Sequence, residues 1–251
     1  MQLDLAGKTA LVTGSSRGIG RAIAEALHAE GVRVALNGRT DADVTLAANA
    51  LAGSTAVVGD VTQPDEAQRV VAEAATALGG LDILVCNVGS GRSVPPGDET
   101  FAEWQRVFGL NLWSTTNMVE AARSALVASQ GVIVCVSSIC GLEVVPGAPV
   151  TYSVAKAALH AYVRGMARLL GRLGVRINAV APGNILFDGS VWSRKLQEDS
   201  EAVNNMLVRD VALAKLGTPQ DVANLVAYLA SPRSGFASGA TWTLDGGQVH
   251  S

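Results

Sequence analysis

An α/β fold built on a doubly wound, mainly parallel sheet is predicted by three features of this 251-residue sequence. Seven short apolar runs recur along it, at "KTALVTG", "VRVALNGR", "TAVVGDV", "LDILVCN", "GVIVCVSS", "VRINAVAPG" and "ATWTLD". Between them lie stretches with apolar residues at helical spacing, and strands that alternate with helices imply right-handed crossovers and parallel pairing. A glycine-rich turn joins the first strand to the first helix. With 49% hydrophobic residues the chain can bury one large core, and a single domain over 1–251 is expected.

The elements follow in order. "SSRGIGRAIAEALHAEG" places Ile19, Ile23, Ala26 and Leu27 on one helical face before Gly31 stops it. "DADVTLAANALAG" is a helix opened by acidic residues, which favour a helix N-terminus. A third helix runs from about Pro64 to Leu78. Beyond a polar loop with Pro95 and Pro96, a long helical pattern runs from about Phe101 to Leu126, and another from Thr151 to Leu173. From Asn184 to Leu216 the periodicity weakens, with a glycine turn near Asp188 and apolar Phe187, Val191, Trp192, Leu196, Met206 and Leu207. A long insertion of this kind in a compact domain is expected to be functional, here a substrate lid over about 184–216. The chain closes with a helix from about Pro219 to Leu229, a strand and the turn "GGQ".

The bulk properties exclude several classes of function. A net charge of −3 with interspersed signs leaves no footprint for a phosphate backbone, so nucleic acid is not an expected partner. No apolar run is long enough to span a bilayer, and "MQLDLAGKTA" lacks the basic and apolar regions of a secretion signal, so no membrane partner and a cytoplasmic location are expected. Cys86, Cys135 and Cys140 have no metal-ligand spacing and read as reduced, largely buried thiols. Cys140 near Ser138 raises a thiol nucleophile, but His28, His160 and His250 show no triad pattern with it.

Two stretches carry chemistry. Thr13 to Gly20, "TGSSRGIG", sits between a strand and a helix, where glycines let the backbone turn tightly and approach a pyrophosphate at the helix start. An ordinary strand-to-helix turn is the alternative for the glycines alone. The second strand ends Leu36-Asn37-Gly38-Arg39, without a carboxylate at its tip. Arg39 and Arg17 are two cations for a ribose 2′-phosphate, which favours NADP(H) over NAD(H), although Asp41 lies close by. In "TYSVAKAAL", Tyr152 and Lys156 share a helical face, and Ser138 ends the fifth apolar run. Hydroxyl, phenol and ammonium can meet at one point as a proton-delivery device. Each residue also has a plainer reading, as a cap, a chance spacing or core packing.

Together these motifs resemble the short-chain dehydrogenase/reductase family, in its 3-oxoacyl-carrier-protein-reductase-like form, over nearly the whole chain. The family's glycine motif matches Gly14, Ser16, Arg17, Gly18, Ile19 and Gly20; its acidic residue near adenine matches Asp60 with Val61. Its "NNAG" is represented by Cys86-Asn87-Val88-Gly89, its helix asparagine by Asn111, its serine by Ser138, its Tyr-x-x-x-Lys by Tyr152 and Lys156, and its "PG" by Pro182-Gly183 with Ile185 following. The threonine after "PG" is replaced by Phe187. Ser138 precedes Tyr152 by one residue more than is usual, and the extra residue is placed in the loop from Pro146 to Pro149.

The resemblance implies a Rossmann fold of seven strands with helices on both faces. It further implies hydride exchange between a nicotinamide dinucleotide and a ketone or secondary alcohol. Ser138 and Tyr152 would hold the substrate oxygen, Tyr152 would transfer the proton, and Lys156 would bind the cofactor ribose and depress the Tyr152 pKa. Asn111 would place a relay water, and Phe187 and Trp192 would line the lid. A non-catalytic dinucleotide sensor is the alternative from another class, against which the intact Asn111, Ser138, Tyr152 and Lys156 argue. Within enzymes, reduction of carrier-bound 3-oxoacyl groups is the alternative, with Arg164, Arg168 and Arg172 as a landing patch. "LVASQG" lacks cations, which ranks a small free substrate higher. Relatives form dimers or tetramers through the two long helices. Leu112, Met118, Leu159, Tyr162 and Met166 are consistent with one helical face on the sheet and another on a partner.

Overall fold

The computed structural model describes residues 2–250. Its centre is one parallel sheet of seven strands: β1 (Thr9–Val12), β2 (Arg33–Gly38), β3 (Thr55–Val58), β4 (Ile83–Cys86), β5 (Val132–Val136), β6 (Arg176–Pro182) and β7 (Thr241–Leu244). Their order in the sheet is β3-β2-β1-β4-β5-β6-β7. Strands β1, β4 and β5 are buried at every residue, which is why they read as unbroken apolar runs rather than alternating ones.

Two cores cover the sheet. On one face α1 (Gly18–Ala29), α2 (Asp41–Asn49) and α9 (Pro219–Ala230) bury Ile23, Leu27, Val44 and Val226 against β1, β2 and β5. On the other, α3 (Pro64–Leu78), α5 (Ser114–Ser129) and α6 (Val150–Gly171) bury Val70, Met118, Leu126 and Leu159 against alternate residues of the same strands. The strand order reverses between β1 and β4, so the connections leaving their C-terminal ends diverge and open a crevice, the place where open α/β sheets hold ligands.

One sequence expectation is corrected. The long helix expected from Phe101 is interrupted: α4 (Phe101–Phe108) and α5 are joined by a wide π-helical turn, Gly109–Trp113. Asn111, 1% exposed, causes the break. Its Nδ2 donates to the Val107 carbonyl four residues back (3.0 Å) and to Ser90 O (3.1 Å), while its Oδ1 accepts from Ser90 N (3.0 Å). A side-chain amide that takes a helical carbonyl competes with the ladder and widens it. Of the apolar residues expected on the two long helices, Met118 and Leu159 are fully buried in the core against the sheet. The large apolar residues left exposed along residues 101–129 and 150–173 are Phe101, Trp113, Val150, Val154, Leu169 and Leu173.

Between β6 and α9 the weakly periodic segment forms two short helices, α7 (Val191–Glu198) and α8 (Ser200–Asp210). Ser190 caps α7 by accepting from Ser193 N, and Asp199 caps α8 by accepting from Ala202 N. Their own small cluster consists of Val203, Leu207 and Val211, with Trp192, Leu196 and Met206 against it. Among the described residues, no helix is long and apolar enough to cross a membrane.

Candidate active site

A cleft of about 1740 Å³ runs along the C-terminal ends of β1, β2, β4, β5 and β6 and under α7 and α8. At one end lies the glycine turn. Gly14 has φ +60° and a Cβ there would sit 3.2 Å from Asn87 Nδ2; a Cβ on Gly20 would come within 2.4 Å of Asn87 Nδ2 and the Gly14 carbonyl. Only glycine fits where the turn folds onto β4 so tightly. Asn87 is the brace: its Nδ2 donates to the carbonyls of Thr13 and Gly14, each at 3.0 Å. Its amide donors are therefore spent on the turn rather than offered to a ligand.

Arg17 is the N-cap of α1 and makes no capping hydrogen bond, and no acid stands in the first turn, so the helix-start N–H groups and dipole favour an anion. On the cleft floor the Ser137 hydroxyl is buried and without a partner among the described residues. Asp60 lies on the cleft, held by Thr62, whose N and Oγ1 donate to its Oδ1. Val61, next to it in the chain, and Ile185, beyond β6, are buried on the lining. Gly89 packs so closely that a Cβ would be 3.1 Å from Lys156 Nζ. Gly183, after Pro182, donates to Leu244 O at 3.0 Å and ties β6 to the strand beside it. These residues fit a dinucleotide.

The adenine-side end is lined by Ser16, Arg39 and Asp43. Asp41, which lies in the first turn of α2, accepts from Thr45 Oγ1 and does not line the cleft. Neither Arg17 nor Arg39 is ion-paired among the described residues. Arg17 reaches toward the far wall, where a Cβ on Gly189 would be 3.7 Å from its Nη1.

At the other end Ser138, Tyr152 and Lys156 converge. Ser138 follows β5 in extended conformation and caps a single 3₁₀ turn, Ile139–Gly141, accepting from Cys140 N at 3.2 Å. That turn packs onto α6 so closely that a Cβ on Gly141 would be 2.6 Å from the Lys156 carbonyl carbon. Between Ser138 and Tyr152 the chain makes a turn at Val145–Ala148, preceded by Val144, which is 96% exposed. Burial raises the Tyr152 phenol pKa well above its ordinary value, while interaction with the Ser138 hydroxyl pulls it down. Lys156, on the next turn of α6, places Nζ 5.7 Å from the Tyr152 ring centre and donates to Val136 O at 3.0 Å. Burial lowers its pKa to about 8. Desolvation is the largest influence on Tyr152, and the protein holds a neutral phenol, a proton donor.

Asn111 reaches this end only indirectly. Its side-chain donors go to Val107 and Ser90, which fixes the Ser90 loop. Cys86 and Cys135 are register partners on β4 and β5, both buried; hydrogen bonding to Cys135 and burial push the Cys86 thiol up. Burial also pushes the Cys140 thiol up, which speaks against a thiolate nucleophile. No metal-binding group of His, Cys, Asp or Glu exists among the described residues.

Phe187 and Trp192 both line the cleft but pack in different clusters. Trp192 lines the cleft and packs in the α7–α8 cluster, with Lys195 Nζ 4.7 Å from its ring centre. Phe187 lies against the glycine turn instead, its ring over Gly18. Sequence reasoning missed Arg92, Glu143 and the C-terminal residues Gln248 to His250, all on the cleft. The tail is held there by Asp245, which accepts from Gln248 N and Val249 N, and by Glu143, which accepts from His250 N. The turn "GGQ" is the one signal in the sequence that the chain folds back at this point.

Comparison with known proteins agrees with this geometry. Residues 14–249 match the family model described as Enoyl-(Acyl carrier protein) reductase. The chain is 32% identical to glucose 1-dehydrogenase 2 of Bacillus subtilis (strain 168) over 257 aligned positions, covering 99% of this chain and 97% of that protein. It is 33% identical to the 3-oxoacyl-(acyl-carrier-protein) reductase of Escherichia coli (strain K12), covering 98% of each. The crystal structure of L-sorbose reductase from Gluconobacter frateurii, complexed with NADPH and L-sorbose, superposes with a TM-score of 0.93 at 28% identity over 100% of both chains. With its sheet order, glycine turn and clustered serine, tyrosine and lysine, the chain belongs to the short-chain dehydrogenase/reductase family of oxidoreductases.

Proposed function

We propose that this protein is an NADP(H)-dependent oxidoreductase interconverting a small ketone and its secondary alcohol. The observation that carries the reading is the convergence of Ser138, Tyr152 and Lys156 at the end of β5, in the same cleft as the glycine turn. A bound nicotinamide dinucleotide would supply or accept the hydride. The remaining chemistry belongs to the chain. Ser138 and Tyr152 donate hydrogen bonds to the substrate oxygen, and these strengthen as negative charge develops on it. Tyr152, kept neutral by burial, hands over its proton in reduction and takes it back in oxidation. Lys156, with a pKa near 8, supplies the charge next to the phenol that eases loss of that proton. Asn111 holds Ser90 and so the loop above Lys156, and α7 and α8 act as a lid that excludes water.

The preference for NADP(H) is supported by Arg17 and Arg39, unpaired on the cleft wall, and by Asn37 in place of a carboxylate at the tip of β2. Similarity to the carrier-protein reductase, together with exposed Arg164, Arg168 and Arg172 on α6, keeps a carrier-bound substrate as the second reading. The exposed apolar strip of Trp113, Val150, Val154, Leu169 and Leu173 supports a homodimer or homotetramer, checked by light scattering at micromolar concentration. The test of function is to mix purified protein with NADPH or NADH and a panel of ketones and follow absorbance. Oxidation of NADPH on at least one ketone, lost in Tyr152→Phe, is expected. Tight dinucleotide binding without turnover on any substrate would instead identify a sensor.

A further inference from the structure

We infer that Phe187 is a plug in the dinucleotide cradle, and that its displacement couples cofactor binding to the placement of α7. The inference rests on the dinucleotide reading above and concerns the position where the sequence departs from its family. Gly18 has φ +57°, and a Cβ on it would lie 2.6 Å from Phe187 Cε2, 2.9 Å from Cδ2 and 3.0 Å from Cζ. The aromatic ring thus covers the face of the turn left bare by the missing side chain. That bare face is what allows an anion to approach the backbone of such a turn. Ring and pyrophosphate compete for one space.

The ring is seated, not loose. It packs with Ile19 against the core cluster that contains Ile185. Its backbone has no slack relative to the lid. Ser190 N donates to Phe187 O at 2.9 Å, and the Ser190 hydroxyl accepts from Phe187 N at 3.3 Å and from Ser193 N in the first turn of α7 at 3.0 Å. One hydroxyl therefore joins the plug residue to the helix start. Gly189, at φ +76°, makes the turn between them, and its carbonyl accepts from Arg92 on the opposite wall at 3.5 Å. When the ring leaves Gly18, this short strap carries α7 with it, and Trp192 on the substrate side moves too. A threonine at this position would lack the ring and leave the cradle open at all times. Phe187 makes the binding-competent state a fraction of the population, which weakens apparent affinity by that fraction.

The experiment mixes the protein with NADPH alone in a stopped-flow instrument, following nucleotide and tryptophan fluorescence, with Phe187→Ala and Phe187→Leu in parallel. Circular dichroism checks that each variant is folded, and the leucine variant, close in volume, serves if the alanine variant is not. For the wild type the observed rate should level off with NADPH concentration, because ring release limits entry. In the variants it should rise linearly over the same range, with a dissociation constant at least threefold lower. Hydrogen exchange in residues 191–198 should change on NADPH addition in the wild type and change less in the variants. A linear rate in the wild type, or levelling that persists in the variants, or variant affinity equal to or weaker than wild type, overturns the plug while leaving the dinucleotide site standing. Absence of binding of either dinucleotide to any form overturns the functional reading and this inference together.

Discussion

The glycine turn at residues 13–20 and the segment at 184–216 form opposite walls of one cleft, and they differ in what would have to move for either to change. In the turn, Gly14 and Gly20 are packed against Asn87 and against each other's backbone, with the Asn87 amide bonded to two carbonyls. In the segment, only Val203, Leu207 and Val211 are buried in the cluster between α7 and α8, and Val208 is 76% exposed. The first wall is held by backbone atoms that cannot yield, the second by a few side chains that can. The difference teaches that one wall of the cleft is fixed by close backbone packing, while the other rests on few buried side chains and has the lower local stability.

Four substitutions put that contrast to the test, from the largest expected effect downward. Gly20→Ala drives a methyl group into the Gly14 carbonyl and Asn87; global stability should fall by about 3 kcal/mol or more in urea titration. A loss below about 1 kcal/mol would show that the turn is not rigid. His160 stands on α6, fully buried, and burial, with Lys156 and Arg164 adding to it, lowers its pKa to about 4. The unfolded state takes up a proton below its ordinary value of 6.5, so this residue's contribution is present above that pH and is lost as pH falls toward 4, by up to about 3 kcal/mol. In His160→Gln the stability measured over that interval should be flatter.

Lys156→Met should lower kcat/KM at least 100-fold, about 2.7 kcal/mol of barrier. The folded state should nevertheless gain about 1 kcal/mol at pH 7, because a buried ammonium with a pKa near 8 is held there at a cost in desolvation. The wild-type stability should accordingly rise as pH increases from 8 toward 10.5, and this rise should shrink in the variant. Loss of stability in Lys156→Met would mean that the bond to Val136 O outweighs desolvation. Smallest overall, Leu207→Ala in the lid cluster removes about 2 kcal/mol of packing, confined to α7 and α8. Hydrogen exchange there should accelerate and KM for the ketone rise, while the dissociation constant for NADPH and the main unfolding transition hold. A drop in the main transition would join the lid to the core and dissolve the contrast.

The same contrast separates what was readable in the chain from what was not. The strands were legible because parallel strands buried on both faces need uninterrupted apolar runs, as in "VIVCV". The turn was legible because its glycines are dictated by local geometry between one strand and one helix. Ser138, Tyr152 and Lys156 were legible because a strand end and the first turns of one helix, close in sequence, place them. Asn111 was half legible: its presence in a helix stood out, but its partner Ser90 lies across a loop, so the break in the helix and the spending of its amide did not. The burial that dominates at Tyr152 has no local signature in the sequence.

What the sequence alone determined, then, is the fold, its strand count and the chemical groups at the centre of the cleft, since each follows from spacing within one or two neighbouring elements. What only the tertiary structure decided is where the distant segments land. Phe187 covers Gly18 on the cleft wall, the tail from Gln248 to His250 docks beside Glu143, and Trp113 and Val154 are left exposed while Met118 is buried. Those placements depend on how strands far apart in the chain pair in the sheet and on which face each helix turns inward, and no periodicity in a single segment records either.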